Sequence, residues 1–287
     1  MVVGASGFLG SNLVQHLRKK HKVIAAFHRN IIKFPGASHA SYSLLEREYM
    51  KRVFMLMRPD TVIYCAGIND FVTCAKFPQL ADTVNSMGAV SISSAGDTVP
   101  HRLIYISSAY VYDGLKGNFA ESDVVFPSTQ FGKSKLSGEN FIRSKSTTFS
   151  IFRLSPLIGT GSLYHQSVVD QIRMKLQKGL TVELPNNEIH SFLSVDVAME
   201  AIEWAATQEA RNATYNLGGL TKVSWYDFGV MLAEKLGFDP NLIVPGKGHL
   251  DQGGDFSLNG SDLLRQLDVD PLLLEQSLDL FQKKLVV

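Results

Sequence analysis

The sequence predicts an α/β fold: a doubly wound parallel sheet covered by helices, with a smaller C-terminal region that caps it. Short apolar runs alternate with segments of helical periodicity as far as about Arg153, the pattern of a parallel sheet with helices on both faces. A glycine-rich turn from Gly4 to Gly10 (GASGFLG) joins the first apolar run to the first helical segment. After Arg153 the alternation becomes irregular, which predicts a different substructure there.

The individual elements follow from the periodicity. Leu9, Leu13 and Leu17 recur at helical spacing after the glycine turn, and Ser128 is expected to cap a later helix. The predicted strands are 1–3, 23–27, 60–65, 103–107 and 149–154, and the predicted helices are 8–20, 44–57, 80–95 and 126–143. In the C-terminal part, helices are predicted at 166–178, 195–207, 224–236 and 272–284, with short strands near 181–184 and 214–217.

Composition and charge argue against several classes of function. The chain carries 28 basic and 27 acidic residues, so a nucleic-acid or membrane-surface partner is not favoured. No apolar run reaches the roughly 18 residues of a spanning helix, and no secretion signal is evident. Cys65 and Cys74 lack metal-binding spacing, so we expect no metal site. These features predict a soluble cytoplasmic protein with reduced thiols.

The glycine turn indicates a Rossmann-type dinucleotide site, although its spacing is GxxGxxG rather than GxGxxG. Gly4 permits the tight turn, Gly7 lets the backbone approach a diphosphate, and Gly10 lets helix and strand pack closely. The N-terminus of the following helix attracts phosphate. The alternative is a glycine-rich turn that binds no ligand. The residues expected to contact the cofactor here are Gly4, Ser6, Gly7, Phe8, Leu9 and Gly10.

The end of the second predicted strand favours NADP over NAD. An acidic residue at this point usually binds the adenosine ribose hydroxyls of NAD, but the chain has Phe27, His28 and Arg29. Arg29 could pair with the 2′-phosphate of NADP. The alternative is that His28 and Arg29 are solvated loop residues, and NAD stays possible.

We expect two regions that share a cleft. Residues 1–153, together with about 191–217, are predicted to form the dinucleotide-binding domain. Residues 154–190 and 218–287 are predicted to form the substrate-capping region. The cap would lie over the carboxyl ends of the strands, where such sheets bind their ligands.

Several segments together resemble the extended short-chain dehydrogenase/reductase superfamily. They are GASGFLG, RPDTVIYCAG, LIYISSAYVYDG, PSTQFGKSKLSGE, FRLS, YNLGG and SWYDFG, and the resemblance covers nearly the whole chain. Within the superfamily, the chain is similar to dTDP-4-dehydrorhamnose reductase and to the related regulatory β subunit of methionine adenosyltransferase. The resemblance implies a Rossmann fold with a small substrate-capping domain, an NAD(P) cofactor and usually a nucleotide-linked sugar.

The resemblance also assigns expected roles to residues. Ser108 matches the catalytic Ser/Thr after the fourth strand, and Lys135 matches the catalytic Lys. Ala66 and Gly67 match the loop under the cofactor riboses, and Ser155 follows the strand that passes the nicotinamide. For Arg153, a structural ion pair is an equal alternative to a contact with substrate. The candidate substrate-binding residues are Asn69, Ser108, Arg153 and His190.

The chain departs from the family pattern at the proton-transfer position. Phe131 stands where the family has Tyr, four residues before Lys135 on the same helix face. In the intact pattern, Lys lowers the pKa of Tyr and binds the cofactor ribose, and Tyr protonates the ketone oxygen. Phe cannot do this. Ala109 replaces a usual Asp, and His190 stands near a usual Arg, which bears on the choice of sugar.

Three explanations of this departure stay open. Tyr110, or a water held by Ser108, would supply the proton if strand alternation puts Tyr110 on the face of Ser108; otherwise Tyr110 is a packing aromatic. The protein could instead bind NADP and a sugar nucleotide without turnover, or catalyse an epimerisation with a different base. The leading hypothesis is a 4-ketoreductase-like oxidoreductase. The alternatives are a regulatory or scaffold subunit, a nucleotide-sugar epimerase or dehydratase, and a redox sensor. The protein could form a homodimer or bind a partner subunit; a partner subunit would favour the scaffold, and a lone homodimer would weaken it.

Overall fold

The computed structural model describes residues 1–42, 46–95, 99–146, 148–162, 164–207, 212–267, 269–270 and 272–285. Strands and helices alternate through its first half, as the sequence predicts. The elements are β1 (Val2–Val3), α1 (Phe8–Leu17), β2 (Ile24–Phe27), β3 (Ser38–Ser41), α2 (Arg47–Met57), β4 (Thr61–Tyr64), α3 (Phe71–Lys76), α4 (Pro78–Asp82), α5 (Gly88–Ala95), β5 (Arg102–Ser108), α6 (Gln130–Lys145) and β6 (Phe149–Leu154).

The second half contains shorter strands. Its elements are β7 (Leu157–Ile158), α7 (Val168–Gln177), β8 (Val182–Pro185), β9 (Glu188–His190), β10 (Leu193–Ser194), α8 (Val195–Thr207), β11 (Ala213–Leu217), β12 (Val223–Ser224), α9 (Trp225–Leu236), β13 (Ile243–Gly246), β14 (Gly254–Asp255), α10 (Ser261–Gln266) and α11 (Leu274–Leu285). None of the described helices is both long and apolar enough to span a membrane.

The central sheet has seven parallel strands in the order β11-β6-β5-β4-β1-β2-β3. From β1 the chain first builds the sheet toward β3, then crosses back through β4 toward β11. The strand order therefore reverses beside β1, and the crevice at such a reversal is where doubly wound sheets bind ligands. This topology confirms the predicted fold class.

Both faces of the sheet are buried, because neighbouring residues of a strand point to opposite faces. In β5, Ile104 packs on the side covered by α1 and α8, whereas Leu103 and Tyr105 pack on the side covered by α2, α5 and α6. Val2 and Val3 of β1 divide in the same way. Two-sided burial explains why these strands are continuous apolar runs in the sequence.

The N-terminus of α6 differs from the sequence prediction. The helix begins at Gln130, and its N-cap is Thr129, whose hydroxyl accepts the backbone N–H of Gly132 at 3.1 Å. Ser128, which we expected to be the cap, lies one residue too early. Ser and Thr are both favoured N-cap residues, so residue type alone does not decide between two adjacent candidates.

Three further elements differ from expectation. The single helix predicted over 80–95 is α4 and α5, joined by a π-helical turn at Thr83–Met87. Helix α2 begins at Arg47, and the predicted residues 44 and 45 lie outside the described part of the chain. Strand β3 was not predicted, because it is an exposed edge strand and its sequence is mostly polar.

The C-terminal part has its own small sheets and core. β12, β9 and β14 form one sheet, β8 pairs with β13, and β7 pairs with β10. A separate buried cluster packs α7, α9 and α11 against these strands, with Ile172, Phe228 and Phe281 among its members. This accounts for the irregular pattern of elements after β6.

Candidate cofactor and active site

The glycine turn joins β1 to α1 at the carboxyl edge of the central strand. Gly4 has a φ of 84°, and a Cβ there would lie 2.7 Å from the backbone nitrogen of Ala66. A Cβ on Gly10 would overlap the carbonyl oxygen of Gly4. Helix α1 begins after Gly7 with no side-chain cap and no acidic residue in its first turn. Its first N–H groups are therefore open to an anion, which fits the diphosphate of a dinucleotide.

Gly10→Ala is expected to lower the free energy of unfolding by about 3 kcal/mol or more, because the overlapped atom belongs to the backbone and cannot turn away. Urea unfolding followed by circular dichroism measures the loss. The control is Gly179→Ala: Gly179 has a φ of 65° and no atom within 4 Å of a built Cβ. That control should lose only about 1–2 kcal/mol through backbone strain. A smaller loss for Gly10→Ala than for the control would contradict close packing at Gly10.

The residues after β2 are exposed, and one of them, Arg29, is a positively charged side chain. The strand ends at Phe27, and both His28 and Arg29 are exposed beside the glycine turn, which is hydrogen-bonded to the β2 residue Ala26. The sequence has no Asp or Glu between Phe27 and Tyr42. The edge of the sheet next to the turn therefore offers a guanidinium and no carboxylate to a ligand.

Lys135 lies buried in α6 beneath the loop that follows β4. Its Nζ donates to the carbonyl oxygen of Ile106 at 2.9 Å and lies 5.4 Å from the centre of the Tyr105 ring. Burial lowers the pKa of Lys135 to about 8. A Cβ on Gly67 would lie 3.2 Å from this Nζ. The glycine therefore keeps the space beside the ammonium group free of side chain.

Asn85, which lies in the π-helical turn, links the loop after β4 to α6 through hydrogen bonds. Its Nδ2 donates to the carbonyl oxygen of Ile68 at 2.9 Å and to the hydroxyl of Ser134 at 2.8 Å. Its Oδ1 accepts the backbone N–H of Ile68 at 2.8 Å. Asn69, which follows Ile68 in the sequence, is exposed at the end of the loop. The loop is therefore held at Ile68 and is exposed at Asn69.

Two serines lie at the carboxyl ends of adjacent strands. Ser108 ends β5 opposite Leu154 and is partly exposed, and its hydroxyl accepts the backbone N–H of Tyr110 at 3.3 Å. Ser155 follows β6 directly, but it is buried, and its hydroxyl lies 3.0 Å from that of Ser191. Ser108 is therefore the more accessible of the two hydroxyl groups.

Phe131 is buried in a cluster of aromatic rings at this edge. Only 6% of the residue is exposed, and its ring centre is 5.1 Å from that of Phe71 and 6.1 Å from that of Tyr110. The ammonium of Lys135 lies 6.0 Å from the Phe131 ring centre. The Lys and Ser positions of the family pattern are therefore present beside a ring without a hydroxyl group.

Tyr110 is not placed as strand alternation predicted. Strand β5 ends at Ser108, and Tyr110 lies in the 3-10 turn Ala109–Val111. Its hydroxyl donates to Oε2 of Glu188 at 3.0 Å and lies 3.1 Å from Nε2 of His190. Burial, and then the charge of Glu188, raise the pKa of Tyr110 well above its usual value. Tyr110 therefore holds its proton in a hydrogen bond and packs against other rings.

Arg153 forms the structural ion pair that the sequence left as one of two alternatives. Its Nε and one terminal nitrogen bind both oxygens of Glu139 at 3.0 and 2.7 Å, and its other terminal nitrogen donates to the Tyr112 hydroxyl at 2.7 Å. Arg153 is 3% exposed and Glu139 is fully buried. Arg153 is therefore directed into the core, and its expected contact with substrate is wrong.

Sequence reasoning missed two residues of this region, Glu188 and His249. Glu188 is fully buried beside His190, which is itself fully buried rather than at a surface. Glu188 and His190 are two residues apart in β9, a spacing that puts both on one face of a strand and could have been read from the sequence. His249 contacts Glu188 from 61 residues further along the chain, and no local pattern reveals that contact.

Comparison with known proteins identifies related sequences. The chain is 28% identical over 247 residues to a probable low-salt glycan biosynthesis reductase of Haloferax volcanii, covering 84% of this chain and 81% of that protein. It is 25% identical over 285 residues to a dTDP-4-keto-6-deoxy-D-glucose reductase of Streptomyces niveus, covering 95% and 92%. It is also 26% identical over 179 residues to the methionine adenosyltransferase 2 subunit beta of Rattus norvegicus, covering 62% and 52%.

The fold is likewise similar to solved structures. A dTDP-4-dehydrorhamnose reductase of Bacillus anthracis, solved in complex with NADP, superposes with a TM-score of 0.82 at 20% identity, over 99% of this chain and 98% of that one. The family model for the RmlD substrate binding domain matches residues 1–249, which is most of the chain. On the strength of that match, the chain belongs to the RmlD substrate-binding domain family.

Proposed function

We propose that this protein is an NADP-dependent reductase of a nucleotide-linked 4-keto sugar, with an altered proton-transfer site. The proposal rests on one observation: the glycine turn, Lys135 and Ser108 lie at the same edge of the sheet. The reductase names of the Haloferax and Streptomyces relatives support it, as does the NADP complex of the Bacillus structure. Residues 154–190 and 218–287 would cap the sugar over this edge.

The proposed roles follow from the positions of the side chains. The glycine turn and the N-terminus of α1 would hold the diphosphate, and the ammonium of Lys135 would bind a ribose hydroxyl beside Gly67. The hydroxyl of Ser108 would orient the ketone oxygen. The reduced cofactor supplies a hydride to the ketone carbon when it is bound. Phe131 excludes water and packs the site, but it has no proton to give.

The test is NADPH oxidation by the purified protein with a small panel of nucleotide 4-keto sugars, together with fluorescence titration of NADPH and NADH. We expect saturable NADPH binding and sugar-dependent oxidation. If neither dinucleotide binds, the proposed function is wrong. Sugar-independent oxidation alone would also count against it.

Arg29→Ala is expected to weaken NADPH binding by roughly 10- to 100-fold, because a charge-assisted contact to the 2′-phosphate is worth about 1.5–3 kcal/mol. NADH has no 2′-phosphate, so its dissociation constant should change much less. Lys22→Ala is the control, since Lys22 is also exposed but lies before the opposite end of β2. Equal losses for the two dinucleotides would show that Arg29 does not read the 2′-phosphate.

A regulatory subunit is the second candidate function. It is favoured by Phe131, which is packed among rings without a hydroxyl group, and by the similarity to the methionine adenosyltransferase β subunit. Pull-down from the native lysate followed by size-exclusion chromatography distinguishes the two. A stoichiometric protein partner with no turnover would favour the subunit, whereas turnover by an isolated protein would favour the reductase.

A further inference from the structure

A buried carboxylate, Glu188 of β9, gathers hydrogen-bond donors near Phe131. Its Oε2 accepts the Tyr110 hydroxyl and the Nδ1–H of His249, each at 3.0 Å, and its Oε1 accepts the backbone N–H of His249. Burial opposes the ionisation of Glu188, but hydrogen bonds from His190 and His249 outweigh it and lower the pKa of Glu188. Glu188 is therefore an ionised acceptor whose lone pairs are well satisfied.

This arrangement decides which nitrogen of His249 is available. Because Nδ1 donates to an ionised carboxylate, the neutral imidazole carries its proton on Nδ1 and its lone pair on Nε2. Within the described part of the chain, Nε2 of His249 forms no hydrogen bond, and the side chain is 36% exposed. A carboxylate that orients one imidazole nitrogen and leaves the other for proton exchange is the arrangement found in general acid–base histidines.

His249 and Phe131 pack against the same two rings, those of Phe71 and Tyr110. The His249 ring stacks on Phe71 at 3.6 Å between centres, and Phe71 lies 5.1 Å from Phe131. Tyr110 lies 6.0 Å from the His249 ring and 6.1 Å from the Phe131 ring, and its backbone N–H donates to Ser108. The imidazole and Phe131 therefore belong to one cluster of rings, which also contains Phe71 and Tyr110 and lies next to Ser108 at the edge of the sheet.

The charged and titratable groups around His249 come from three elements. Glu188 and His190 lie on β9, Tyr110 follows β5, and Asp70 precedes α3. No three His, Cys, Asp or Glu side chains among the described residues are placed to hold a metal ion. Hydrogen bonds to Glu188 join Tyr110 and His249 into one cluster.

We propose that His249, oriented by Glu188, donates the proton that the family pattern assigns to a tyrosine at position 131. This inference rests on the proposed reductase function. The ketone carbon gains a hydride from the reduced nicotinamide, which is thereby oxidised, and the electron pair of the C=O π bond moves to oxygen. That oxygen takes the proton from Nε2 of the protonated imidazole, so the product is an alcohol. His249 then regains a proton from water at its exposed edge.

The kinetic test compares His249→Gln with wild type. Loss of a general acid lowers kcat by about 10²–10⁴-fold, and the dissociation constant of NADPH should stay the same. His21→Gln is the matched control, since His21 is equally exposed at 36% and also pairs with a glutamate, Glu203. Adding Phe131→Tyr to His249→Gln should restore turnover, because it supplies a donor at the family position.

A second measurement needs neither cofactor nor substrate. Nitrogen-15 NMR of the histidine rings should find neutral His249 protonated on Nδ1, which donates to Glu188. Glu188→Gln should remove this tautomer preference. A neutral His249 protonated on Nε2 would overturn the proposal, whatever the activity.

The kinetic outcomes separate the two levels of inference. Equal kcat for wild type and His249→Gln would overturn the role of His249 and leave the reductase function standing. Turnover by Phe131→Tyr but not by wild type would overturn the role of His249 and favour the regulatory candidate. No turnover by either protein would reject the reductase function itself, together with the donor.

Discussion

Phe131→Tyr should raise sugar-dependent NADPH oxidation, by about 10²–10⁴-fold in the His249→Gln background and by at least about tenfold in the wild type. The smaller wild-type gain is expected because His249 already supplies part of the proton transfer there. The hydroxyl group that this substitution introduces would enter a site where the ammonium of Lys135 lies 6.0 Å from the centre of the Phe131 ring. The positive charge of Lys135 favours ionisation of a nearby tyrosine and so brings its pKa closer to the working pH.

The pH dependence of this gain follows from Lys135. Burial lowers the pKa of Lys135 to about 8, so its charge is present below that pH and is lost as the pH rises through it. The advantage of Phe131→Tyr should therefore shrink above a pH of about 8. Steady-state rates from pH 6 to pH 10 measure this. A gain that stays constant across that range would show that Lys135 does not assist the new tyrosine.

Glu139→Ala should lower the free energy of unfolding by about 3–5 kcal/mol, because it leaves Arg153 buried without its counter-ion. Glu139 accepts four hydrogen bonds from residues of two strands and its own helix: two from Arg153, one from Arg143 and one from the hydroxyl of Ser107 at 2.6 Å. Its loss would also loosen α6 and the end of β5, which carry the candidate site. Urea unfolding measures the stability.

Arg143→Ala is the control for that variant. Arg143 binds the same carboxylate at 2.9 Å, but 35% of its side chain is exposed, so its loss should cost no more than about 1 kcal/mol. The double replacement Glu139→Leu with Arg153→Met should recover much of the stability, since apolar side chains can replace a buried pair. If Glu139→Ala lowers the free energy of unfolding no more than Arg143→Ala does, burial of the Glu139–Arg153 pair does not determine the cost of breaking it.

The sheet was predictable because it is buried on both faces. Runs such as Leu103 to Ile106 are apolar at every position that faces a helix layer, and the glycine turn marks where β1 ends. The edge strand Ser38–Ser41 was not predicted for the opposite reason. It pairs with a strand on one side only and is mostly exposed, so its side chains need not be apolar. Burial, rather than strand propensity, determined which elements the sequence revealed.

The residues of the candidate site differ in a similar way. Some belong to short local motifs, whereas the roles of others depend on contacts that are distant in sequence. Gly4 was expected from the glycine spacing, and Ser108 and Lys135 were expected from the family resemblance, because each belongs to a short local motif. Arg153 carried no sequence signal of its partner, although Glu139 is 14 residues away, because a charged residue at a strand end fits both a ligand and an ion pair. Tyr110 was misplaced because the sequence does not show that β5 stops at Ser108.

The contacts between the sheet region and the C-terminal part determine how firmly the candidate site is held together. Phe71 and Tyr110 belong to the sheet region, whereas Glu188 and His249 belong to the C-terminal part, and the two sides meet through the ring stack and the Tyr110 hydrogen bond. Such a stack is worth about 0.5–1.5 kcal/mol and such a hydrogen bond about 1.5–3 kcal/mol. Phe256 of the C-terminal part is also buried in the same hydrophobic cluster as Tyr110. The two sides are therefore joined by a shared apolar core as well as by polar contacts, and this core holds the C-terminal wall of the candidate site against the sheet.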